Sequence, residues 1–110
     1  MDNLDLIGAV QQKLSELEVS VKHLRKTGTA FAEAERDYKI ALNKKALQMR
    51  DDGQAVGMIS LIIYGERDIA ELRFKRDVAE TVYKANQEAI NAIKVHINVL
   101  REQIEREWKQ

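Results

Sequence analysis

From Glu66 to Lys109 the chain contains neither proline nor glycine, and one apolar stripe runs the length of the segment. Read back from the C-terminal side, it comprises Ile104, Leu100, Ile97, Ile93, Ile90, Asn86, Tyr83, Ala79, Arg76, Leu72 and Ile69. The steps alternate between four and three. Nine of these eleven positions are apolar, so the repeat is that of a coiled-coil helix. At ~1.5 Å per residue such a helix would be roughly 65 Å long, more than a globular core needs.

The same segment carries a second stripe: Phe74, Val78, Val82, Ala85, Ala89, Ala92 and Val99. One antiparallel neighbour would bury one seam and leave the other wet. Two apolar faces on one helix call for a third helix or a second subunit.

The first half of the chain repeats the pattern. Its stripe runs Ile7, Val10, Leu14, Leu17, Val21, Leu24, Gly28, Phe31, Glu35, Tyr38, Leu42, Lys45 and Met49. Asp2 or Asn3 can cap the start, with Asp5 near the positive end of the helix. Lys26-Thr27-Gly28-Thr29 resembles a stop followed by a new cap, which would give three helices. The stripe keeps its phase across Gly28, however, so the expectation is one continuous helix, bent at most.

Asp51-Asp52-Gly53 should end that helix, because carboxylates sit badly at a negative helix end and Gly53 can take a left-handed cap. The run Met58-Ile59-Ser60-Leu61-Ile62-Ile63-Tyr64 follows, fenced by Gly53, Gly57 and Gly65. At that length periodicity does not distinguish a short helix from a strand.

The expected fold is therefore all-α and a single domain over 1–110: a long antiparallel helical hairpin, or coiled coil. Its helices should span about 3–50 and 66–109, with a short apolar connecting tip at about 51–65. The surplus seam should make it dimerise through its long helices into a four-helix arrangement. Polar residues on the seams, namely Glu35, Arg76 and Asn86, are expected to fix register. One register sets Glu35 against Asn86 and Tyr38 against Tyr83. Another sets Gly28 against Asn86 and Phe31 against Tyr83.

Composition agrees with long helices and narrows the chemistry. A third of the residues are charged, proline is absent, and Lys plus Arg equals Asp plus Glu at 18 each. Two helices of this length do not enclose a core of their own, which again points to self-association. Cysteine is absent, so neither disulfides nor thiol chemistry is expected. The opening MDNLDLIGAV lacks the basic start of a secretory signal, and Met58–Tyr64 is far shorter than the ~20 residues of a membrane span. A soluble cytoplasmic protein with no membrane partner is expected.

Catalytic, metal and cofactor sites are not expected. His23 has Ser20 three residues before it and His96 has Ile93, so neither completes the Glu-x-x-His pair of metal-binding bundles. The serines lack a nucleophile motif, and no Gly-Lys-Ser/Thr follows the loop glycines.

Two surfaces remain. The first is apolar: Met58, Ile59, Leu61, Ile62, Ile63 and Tyr64 at the tip, with Trp108 near the C-terminal end, as contacts for a protein partner. The second is a basic strip over 22–50. It holds Lys22, Arg25, Lys26, Arg36, Lys39, Lys44, Lys45 and Arg50 against Glu33, Glu35 and Asp37, and could contact phosphates.

The block ELRFKRDVAETVYKANQEAINAIKVHINVLREQIEREW, with AEAERDYKIALNKKALQMRDDG upstream, resembles small helical proteins encoded by phages and prophages of Gram-positive bacteria. The resemblance runs from about Thr29 to Trp108, and its most recognisable piece is IEREW. In that group the central loop is less apolar than MISLIIY here. The resemblance implies a phage-encoded protein in the cytoplasm of the bacterial host and supplies no catalytic residues. Secreted Trp-x-Gly hairpin proteins are not a match, because the one tryptophan is Trp108 and their turn motif is missing.

The functional expectation is a non-enzymatic, self-associating helical protein that binds a protein partner. The alternative is an accessory factor in phage DNA metabolism that binds nucleic acid through the basic strip.

Overall fold

Helix α1 spans Asn3–Asp51, α2 spans Val56–Ile62, a 3-10 turn spans Ile63–Gly65 and α3 spans Arg67–Trp108 in the computed structural model, which describes residues 2–109. The protein is all-α: among the described residues there is no strand. The chain forms two compact units. One holds the residues up to Lys26 and from Tyr83 onward; the other is Thr27–Val82.

The helix ends follow from local chemistry. At the start of α1, Asp2 Oδ1 accepts the backbone N–H of Asp5 at 2.9 Å, and Asp5 adds negative charge to the first turn. The helix passes through Gly28 without a break. It stops at Gly53, whose φ of +89° places it in the left-handed region. There Gln54 N–H donates to the Met49 carbonyl at 3.1 Å and Gly53 N–H to that of Arg50 at 3.0 Å. This pair of bonds is the Schellman closure, and it satisfies carbonyls the helix would otherwise leave open. Helix α3 begins after Glu66, which is extended and accepts from Ala70 N–H at 2.8 Å.

In the Thr27–Val82 unit the core gathers Tyr38, Met49, Ile59, Ile63 and Ile69, with Ala41, Leu42, Ala46, Ile62 and Leu72 packed around them. It therefore draws on α1, the tip and α3. Ile69 is fully buried, which stabilises by roughly 1.5–3 kcal/mol relative to an exposed isoleucine. The helices run antiparallel here: Lys45 meets Asp68, and Glu35 meets Arg76 further from the tip.

In the other unit Leu6, Ile90, Ile97 and Leu100 are buried. All eleven positions of the α3 main stripe are buried or half-buried along the helix.

The α1 stripe departs from expectation in this second unit. Ile7, Leu14 and Val21 are exposed, whereas Leu6 is buried and Lys13 and Ser20 are half-buried. Beyond it Thr27 is buried, and Glu35, Leu42 and Met49 lie inward as expected. One of the two rows of the stripe thus shifts by one residue near Gly28, while the other, Val10, Leu17, Leu24, Phe31, Tyr38 and Lys45, lies inward on both sides of it. A helix with 3.6 residues per turn drifts ~20° per heptad against a 3.5-residue repeat, so over several heptads the neighbouring residue comes to face inward.

The register that sets Glu35 against Asn86 needs correction. Asn86 Nδ2 donates to the Ser20 carbonyl at 3.1 Å. Glu35 instead meets Arg76 at 3.6 Å, and Tyr38 lies beneath the Arg76 guanidinium, 4.7 Å from ring centroid to Cζ. Opposite charge decides the position of Glu35: a half-buried carboxylate gains more from a guanidinium than from an amide.

Candidate functional site

The tip is built from the run Met58–Tyr64, and the structure divides that run by face. Ile59 and Ile63 are one helical turn apart and point inward, only 8% and 4% exposed. Ile62 is half-buried against the same core. These residues hold the tip down on the core, and of their surface Ile59 and Ile63 contribute only what lines the groove beside Leu47 and Val56. Met58, Leu61 and Tyr64 stay outside, with Leu61 78% exposed.

Val56 and Leu47 extend this outer surface. With Leu42, Ala46, Ile63 and Tyr64 they line an apolar groove, at whose edge stands Arg50. Sequence reasoning missed Val56 and Leu47. Val56 lies outside the apolar run between Gly53 and Gly57, and Leu47 is off the α1 stripe; their one signal was a large apolar side chain where the pattern asks for a polar one. On the rim, the Arg73 guanidinium lies 5.3 Å from the Tyr64 ring centroid, a cation–π arrangement that holds the ring in place.

Two ion pairs secure the α1–α3 contact beneath the tip. Lys45 Nζ reaches Asp68 Oδ2 at 3.0 Å. That hydrogen bond draws the Asp68 carboxyl below the ordinary carboxylate value and lifts the Lys45 ammonium above its own. Arg76 donates to Asp77 Oδ1 from Nε at 3.0 Å and from Nη2 at 2.8 Å, while Nη1 faces Glu35.

The basic strip is interleaved with carboxylates. Lys22 pairs with Glu18 at 3.3 Å, Arg36 with Asp37 at 3.1 Å, Lys39 with Glu35 at 3.8 Å, and Lys45 with Asp68. Arg25, Lys26 and Lys44 are exposed and form no ion pair among the described residues. Four of the eight basic residues of the strip thus have an anion beside them, which weakens the field a polyanion would meet.

The second stripe of α3 is exposed at every position. Phe74 (67% exposed), Val78 and Val82 lie on the Thr27–Val82 unit, and Ala85, Ala89, Ala92 and Val99 on the other. Trp108 is also exposed. No family model, curated protein or solved structure matches this chain.

His23 and His96 are both exposed, and among the described residues no three His, Cys, Asp or Glu are grouped so as to hold a metal ion. Among the same residues, no helix is long and apolar enough to cross a membrane.

Proposed function

We propose that this is a non-enzymatic helical protein that self-associates and works by binding a protein partner. The observation that carries the reading is the amount of large apolar side chain left in water. Phe74, Val78 and Val82 are exposed at four-residue steps along α3, and Met58, Leu61 and Tyr64 at three-residue steps through the tip. Apolar exposure of this kind marks contact surfaces. The α3 face serves self-association, by dimerisation into a four-helix arrangement, and the tip with Trp108 serves the partner.

Placement in a phage, acting in the cytoplasm of a bacterial host, rests on the sequence resemblance from about Thr29 to Trp108 alone. A role in nucleic-acid binding has less behind it, since Arg25, Lys26, Lys44 and Arg50 are what the ion pairs leave over.

The tip is tested by capture from host lysate with the wild-type chain and with a Met58→Asp, Leu61→Asp variant. Both side chains are exposed, so circular dichroism should show unchanged helicity. Loss of the captured protein with the variant is expected; equal capture by both chains would overturn the assignment to the tip.

A further inference from the structure

We propose that the outward face of α3 pairs with the same face of a second copy, antiparallel, about a two-fold axis between Glu80 and Thr81. The proposal rests on the self-association reading and specifies its geometry. The pattern belongs to α3 alone, because an uninterrupted helix from Arg67 to Trp108 fixes the relative directions of its side chains by its own 3.6-residue turn.

The charges come first. Arg73, Asp77, Lys84 and Glu88 are spaced four, seven and four residues apart, so they fall on one flank of the exposed apolar stripe. All four are exposed. Along the helix their signs read plus, minus, plus, minus. Reversing the helix end for end sets Arg73 opposite Glu88 of the second copy, and Asp77 opposite Lys84 of the second copy. Two-fold symmetry makes each pair twice. Asp77 already accepts both Arg76 bonds on Oδ1, and a carboxylate has a second oxygen to offer.

The apolar residues fit the same axis. Val78 falls within one residue of facing Val82 of the second copy. Phe74 falls between its Ala85 and Ala89, a large side chain entering the space that two small ones leave. Parallel pairing lacks this match. It would set the charged flank against the other side of the stripe, where Asp68, Glu71 and Lys75 gather at one end and do not repeat the alternation of sign. A self-complementary surface is what an isologous dimer requires.

The test uses the full chain in sedimentation velocity, with helicity checked by circular dichroism. In an Arg73→Glu homodimer the introduced carboxylate faces Glu88 twice; in a Glu88→Arg homodimer the introduced guanidinium faces Arg73 twice. Each variant alone should dimerise at least about tenfold more weakly than wild type. An equimolar mixture of the two should form a heterodimer of wild-type affinity, because every facing pair then has opposite charge. The Arg73→Glu, Glu88→Arg double variant should also regain it. If wild type self-associates but the single variants match it, or the mixture stays as weak as its components, this arrangement is overturned and self-association by another face stands. If wild type remains single at all concentrations, the self-association reading falls and this one with it.

Discussion

The side-chain amide of Asn86 donates to the backbone carbonyl of Ser20 at 3.1 Å, across 66 positions of sequence. It sits on the α3 main stripe, where the neighbouring positions are mostly apolar. The bond rewards one sliding position of α3 on α1 within that unit over the next, which plain apolar contacts do only weakly. Asn86→Ala should therefore cost about 1 kcal/mol in urea unfolding. Asn86→Leu should raise stability while admitting other registers, visible as extra amide resonances for α1 and α3. A leucine variant with one sharp set of resonances would show that register is fixed elsewhere.

Ile69 and Leu61 make a contrasting pair at the tip. The first is buried in the core with Ile59 and Ile63, and the second is in water. Ile69→Ala should lose about 2–5 kcal/mol in chemical denaturation. Leu61→Ala should stay within about 0.5 kcal/mol of wild type.

The Lys45–Asp68 pair gives a pH dependence with a definite sign. The Asp68 carboxyl is held below its ordinary value of 3.8, chiefly by the hydrogen bond from Lys45. A depressed carboxylate contributes stability above the unfolded value and loses it as pH falls through the folded one. The stability gap between wild type and Asp68→Asn should therefore persist at neutral pH and close below about pH 4. Lys45 is raised above 10.5 by the same bond, so its contribution should fade as pH climbs beyond that value. Thermal unfolding of both proteins from pH 2 to 8 measures the acid limb; parallel curves throughout would contradict the assignment.

Glycines offer a control on the backbone. Gly8 lies within α1, and an added Cβ would meet nothing within 4 Å. Gly8→Ala should stabilise by about 0.5–1 kcal/mol. Gly53 has equally open space, but its φ is +89°. Gly53→Ala should destabilise by about 1 kcal/mol or more, since an L side chain resists that conformation.

Much of this is readable in the sequence. The α3 seam was legible because a segment without glycine or proline leaves its apolar period undisturbed, and the stop at Gly53 because its sequence context asks for a left-handed residue. The drift of the α1 seam near Gly28 was not, since a 3.5-residue pattern in letters hides a 3.6-residue helix in space. Nor was the partner of Asn86: which residues face one another is set by both helices together. At the tip, seven residues were too few to separate helix from strand. The two faces of Met58–Tyr64, with Ile59 and Ile63 inward and Leu61 outward, emerged only with the fold.

The central claim is that Phe74, Val78 and Val82 stand exposed on α3 because another copy of the chain covers them. Sedimentation equilibrium of the unmodified protein tests it most directly. The account predicts a mass of twice the 12.6 kDa of the chain at micromolar concentration, falling to the single-chain value for Val78→Asp with helicity unchanged. A single-chain mass for the wild type across the whole concentration range would contradict it.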